Sequence, residues 1–139
     1  MKYLIILLVF ASNVFADGNN DIKVLPFDNL KNLSKSNEKH FNELAEILKK
    51  DLFYQYNLNK KYPKIAQMRQ WQGLVVIKII FFKDREPTAE WAEKSKYSVL
   101  NDSALSTAFN AARNVKPDPK LFLLTNHISV LVPVVFNLE

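Results

Sequence analysis

The sequence predicts an α+β domain, a small antiparallel three-stranded sheet packed with two helices, with an extra helix ahead of it. Three observations carry this. Residues 126–138 (NHISVLVPVVFNL) alternate apolar positions with period two, the pattern of a half-buried strand. Residues 72–82 (QGLVVIKIIFF) form an apolar run of strand length, interrupted only by Lys78. Residues 36–54 and 101–115 instead repeat apolar residues at helical spacing. A polar turn joins the first two strands, so they are antiparallel. The last strand arrives after a helix and should lie beside one of them.

Composition narrows the class. A chain of 139 residues suits one small domain plus a processing segment. Ten Phe, five Tyr and two Trp supply a core. The absence of Cys excludes disulfides and thiolate metal sites. The formal charge is +5, but the lysines are scattered among acids and read as solvated surface rather than a nucleic-acid patch.

The first residues set the compartment. Lys2 precedes an apolar stretch, residues 3–10 (YLIILLVF), and Val14-Phe15-Ala16 has the small-x-small form of a cleavage site. This predicts a signal peptide over residues 1–16, cut between Ala16 and Asp17. The run is shorter than the roughly 20 apolar residues a bilayer span needs. The expected product is exported and soluble, with no stable membrane insertion after cleavage.

Residues 17–35 are polar and read as a flexible arm, with an apolar island at Val24-Leu25-Pro26-Phe27. The helix over 36–54 has Ser36 as N-cap and Phe41, Leu44, Ala45, Leu48 and Leu52 as its stripe. An Asn-rich linker to residue 61 completes that segment, and the main domain spans 62–139. Pro63 opens a short helix that Gly73 breaks. The 72–82 strand is apolar on both faces, which predicts that the first helix or a dimer covers the second face. A weaker strand follows at 87–95, with Ala89 and Trp91 inward. The 101–115 helix takes Asn101 or Asp102 as its cap and ends before Pro117-Asp118-Pro119.

No catalytic set is present. His40 and His127 fall on different elements, and no nucleophile elbow, phosphate loop or zinc motif occurs. The expectation is a binding protein, not an enzyme, with no cofactor, no metal and no nucleic-acid partner. The last strand is then the element to explain. Ile128, Val130, Val132, Val134, Phe136 and Leu138 share one face; His127, Ser129, Leu131, Pro133, Val135 and Asn137 share the other. Pro133 lacks an N–H, which puts the strand at a sheet edge or a bulge. Such a proline either blunts aggregation or marks an edge kept open for a partner peptide; strand physics alone favours the first.

The ordered set Tyr62-Pro63, Ala66, Gly73, the alternating Val75, Ile77, Ile79 and Phe81, then Ser95, Leu100, Ala104-Leu105, Arg113, Pro117-x-Pro119 and Val132-Pro133-Val134 with Phe136 and Leu138 resembles the TonB C-terminal domain. The resemblance covers residues 62–138. It departs at Lys83-Asp84-Arg85, where the family usually has a turn glycine, and at Lys94-Ser95-Lys96, where it has small residues. The resemblance implies a periplasmic module of a Gram-negative cell. Such a module binds an extended segment of an outer-membrane transporter, the TonB box, by strand addition to the last strand. The implied contact residues are His127, Ser129, Leu131, Pro133, Val135 and Asn137, flanked by Tyr62 and Pro63. Neither the membrane anchor nor the Pro-rich spacer of an energy transducer is seen in the sequence, so binding rather than pulling is expected. The rival readings are a TolA-like or other cell-envelope interaction domain and a structural homodimer.

Overall fold

The computed structural model describes residues 3–7, 22–24, 35–123 and 125–138. The expected cleavage site at Ala16 lies outside them. Two short strands come first, β1 (Tyr3–Leu7) and β2 (Lys23–Val24). Next come α1 (Lys35–Asn59), α2 (Lys64–Met68) and the hairpin of β3 (Gly73–Phe82) and β4 (Thr88–Glu93). α3 (Ser98–Arg113), a 3-10 turn (Pro119–Phe122) and β5 (His127–Leu138) complete the order. The expected antiparallel three-stranded sheet is present as β4, β3 and β5, with α2 and α3, and α1 is the extra helix ahead of them.

Alternation sets the faces. Val75, Ile77, Ile79 and Phe81 of β3 are buried, as are Ile128, Val130, Val132, Val134 and Phe136 of β5. β3 and β5 pair without a shift from Gly73 opposite Phe136 to Phe82 opposite His127. Against this inner face α3 brings Ala104, Ala108, Ala111 and Ala112, all buried, whose small side chains let the helix backbone come close. Ala89 and Trp91 stand opposite Ile79 and Ile77 and pack on the core; past them a bulge between Val76 and Ile77 shifts the β3–β4 register, so that Glu93 faces Val76.

α1 runs past the expected end, to Asn59. Asparagine is a poor helix former, so this stretch reads as a linker. Two tertiary and local effects override that. Tyr56 extends the buried stripe of Phe41, Ala45, Leu48 and Leu52. The amides of Asn57 and Asn59 donate back to the carbonyls of Phe53 and Gln55, at 3.1 and 2.7 Å. The helix packs on α3, the 3-10 turn and β2, within the same core cluster as the inner face of the sheet. It therefore does not cover the second face of β3, which removes the first of the two expected covers and leaves the dimer. Leu74, Val76, Ile80 and Phe82 stay half-buried there, with Lys78 opposite Glu90 of β4.

Two helix ends also differ from expectation. α2 stops because Gln70 takes a left-handed φ of 56° and Trp71 N–H donates to the Ala66 carbonyl, at 2.8 Å, before Gly73 is reached. α3 starts at Ser98, so Asn101 is not its cap but a buried residue of the first turn. Its Oδ1 accepts from the N–H and the hydroxyl of Ser95, both at 2.8 Å, and its Nδ2 donates to the Ser95 carbonyl at 3.0 Å. Trp91 Nε1 donates to the Asn101 carbonyl at 2.9 Å. This knot secures the β4–α3 turn around Ser95. Gly73 fits beside it, since a Cβ there would come within 3.1 Å of Ser95 Cβ.

Candidate peptide-binding edge

β5 has two backbone edges, and hydrogen bonds at its ends fix which groups face which. Leu138 N–H donates to Gln72 Oε1 at 3.2 Å, just before β3, and the Asn126 carbonyl accepts from Lys83 N–H at 3.0 Å, just after it. The even-numbered residues of β5 thus turn their backbone groups toward β3. The odd-numbered ones, His127, Ser129, Leu131, Pro133, Val135 and Asn137, turn theirs to the opposite, outer edge. Pro133 is on the outward parity, so its missing N–H takes nothing from the β3 ladder. The unshifted pair Val76 and Pro133 follows from this.

These are the six strand residues singled out from the sequence. Their side chains share the outer face of the sheet. His127 is exposed, Ser129, Leu131 and Asn137 are half-buried, and Pro133 and Val135 are buried. His127 also meets the Phe82 ring, with centroids 6.3 Å apart.

The outer edge is covered in pieces. Thr125 Oγ1 donates to the His127 carbonyl at 3.0 Å and accepts from its N–H at 3.4 Å. β2 lies opposite Val130 and Leu131, and β1 lies opposite Val134 to Leu138. Because β3 holds the other edge from His127 to Phe136, both segments take the outer one. β5 is therefore the border strand of the three-stranded sheet but an inner strand of the whole chain.

Tyr62 and Pro63 sit elsewhere. Tyr62 is buried on the inner side, its ring edge-on to Phe136 at 5.4 Å and 74°. Its hydroxyl donates to the Trp71 carbonyl, and its own carbonyl accepts from Gln67 Nε2 at 2.8 Å. Burial raises its pKa. Pro63 is half-buried at the N-cap of α2. Tyr62 braces β5 from within, and neither residue joins the outer-face side chains.

Sequence reasoning missed Thr125 and an aromatic stack. Trp71 lies on Tyr97 with centroids 4.7 Å apart and planes at 11°. Arg69 stands 5.3 Å from the Trp71 ring and Lys96 5.2 Å from Tyr97. The stack adjoins the start of β3, where the last residues of β5 pair. Nothing in the sequence couples segments so far apart. Among the described residues, no three His, Cys, Asp or Glu side chains gather to hold a metal, and no helix is long and apolar enough to cross a membrane.

No family model and no curated protein matches this chain. A solved structure does. The solution structure of the TonB C-terminal domain of Helicobacter pylori, residues 179–285 of that protein, aligns with a TM-score of 0.59 at 18% identity, covering 77% of this chain and 96% of that domain. At such identity the likeness speaks for architecture, and it agrees with the resemblance read from residues 62–138: the chain has the fold of a TonB C-terminal domain.

Proposed function

We propose that this chain is a periplasmic protein-binding module, not an enzyme, that takes up an extended segment of an outer-membrane transporter as an added strand on the outer edge of β5. The observation that carries the reading is the parity of β5. The backbone groups of Val135 and Asn137 face away from β3, so an added strand that takes the place of β1 can pair with them without disturbing the β3 ladder. Main-chain bonds supply the affinity, and the outer-face side chains of Leu131, Val135 and Asn137 select among sequences. The TonB-like fold supports the choice of partner, and the signal-like residues 1–16 support export to the periplasm.

In-cell photo-crosslinking tests this, with the photoreactive residue at Asn137 and a control at Asn110 on the exposed side of α3. The expected result is a crosslink from position 137, and not from 110, to the periplasmic N-terminal segment of a transporter. Crosslinks only to a different envelope protein would replace the partner, as in the TolA-like reading. A structural homodimer is the second reading, favoured by the half-buried Leu74, Val76, Ile80 and Phe82 on the outer face. A mass that rises with concentration in sedimentation supports it; a constant monomer removes it.

A further inference from the structure

We infer that residues 3–7 and 22–24 are the two halves of one split edge strand on β5, and that cutting the chain between them opens only the Val134–Leu138 half to a partner. The identity of that partner rests on the strand-addition reading; the split edge does not. β1 runs antiparallel to β5 with Tyr3 opposite Leu138 and Leu7 opposite Val134. β2 continues along the same edge in the same direction, with Lys23 opposite Leu131 and Val24 opposite Val130. Val132 and Pro133 are paired with neither β1 nor β2, and proline has no donor to offer there. Ile6 stands opposite Val135 and Leu4 opposite Asn137, so the outward backbone groups of both are met by β1.

The halves are held differently. Ile22 is fully buried in the core cluster, and β2 touches α1, so this half is anchored in the domain. The signal-like cleavage site at Ala16-Asp17 falls in the stretch joining the halves. Cleavage leaves the Ile22 strap in place and removes the covalent tether of β1. A tethered strand acts at an effective concentration in the millimolar range for a short linker, and an untethered one at its free concentration. β1 then dissociates and Val135 and Asn137 lose their partners. The strap and Thr125 still guard the His127–Leu131 half against unspecific pairing, the usual hazard of an open edge. The vacated half fits an extended apolar segment about as long as β1, whose sequence is YLIIL.

Backbone amide exchange of the purified full chain, before and after signal-peptidase cleavage, tests the split. The expected result is exchange at Val135 and Asn137 rising by about tenfold or more after the cut, with Leu131, Val134 and Phe136 unchanged. Ile6→Pro in the uncut chain should reproduce the rise at Val135. Equal exchange in both forms overturns the inference, and so does joint loss of protection at Leu131 or at the β3-facing amides. A labelled peptide of residues 2–9 with a lysine tail should bind the cut chain and not the uncut one; equal binding to both contradicts the inference. None of these readouts involves a transporter, so failure of the transporter crosslink leaves them standing, and their failure leaves the crosslink to be judged separately.

Discussion

Tyr56 is 1% exposed, and its hydroxyl makes no hydrogen bond among the described residues. An unpaired buried hydroxyl opposes folding, so Tyr56→Phe should leave stability unchanged or raise it by up to about 1 kcal/mol in urea unfolding. The same burial raises its pKa above the usual 10.0. The unfolded chain therefore releases this proton near pH 10 while the folded chain keeps it. The contribution is fully present below about pH 10 and is lost as pH rises further, with a slope of about 1.4 kcal/mol per unit for each such tyrosine. Between pH 9 and 11, Tyr56→Phe should lose about 1.4 kcal/mol less than the parent chain. Asn101 is the opposite case, a buried side-chain amide hydrogen-bonded at both its oxygen and its nitrogen. Asn101→Ala strands the N–H and carbonyl of Ser95 and should cost about 2–3 kcal/mol in the same measurement. The sequence marks Asn101 as a helix-start residue. It does not reveal the knot, because that depends on a turn whose path is set by Trp91 and Ser95.

The elements were legible where burial imposes a period. β3 and β5 announce themselves because one face is buried along their whole length, and Pro133 announces an outward parity because a proline is tolerated only there. α1 was read short because the propensity of its asparagines opposes a helix that Tyr56 and the core extend. Of the two expected covers for the second face of β3, the structure removes the first helix, because α1 docks on α3 instead. β2 was not legible, since two residues carry no period. Close approach between elements gives a prediction at this scale. Gly73→Ala should destabilise by about 0.5–1.5 kcal/mol, since its Cβ would press on Ser95 Cβ at 3.1 Å. Ser95→Gly in the Gly73→Ala background should lessen the steric part of that loss, read as positive coupling in a double-mutant cycle.

At the scale of the whole molecule, a TonB-like three-stranded sheet ends on a strand whose outer edge is lined by the N-terminal strands β1 and β2. The candidate site was legible in the sequence as the six alternating residues of β5, since the pleat gives side chains and backbone edges the same parity. Tyr62 and Pro63 were legible only as family landmarks; burial against Phe136 makes Tyr62 a brace. What the sequence did not disclose is that the N-terminal segments lie along that edge, because pairing between residues more than a hundred positions apart leaves no local pattern.

The most direct test of partner binding at this edge is calorimetric titration of the signal-cleaved chain with the N-terminal segment of the crosslinked transporter, comparing Val135→Pro with Val135→Ala. Val135 N–H faces outward, so proline removes a donor that β3 does not use. The predicted result is a Kd about tenfold weaker for Val135→Pro, near that of the parent chain for Val135→Ala, with both variants unfolding at similar urea concentrations. Equal affinities for the two folded variants would contradict strand addition on β5.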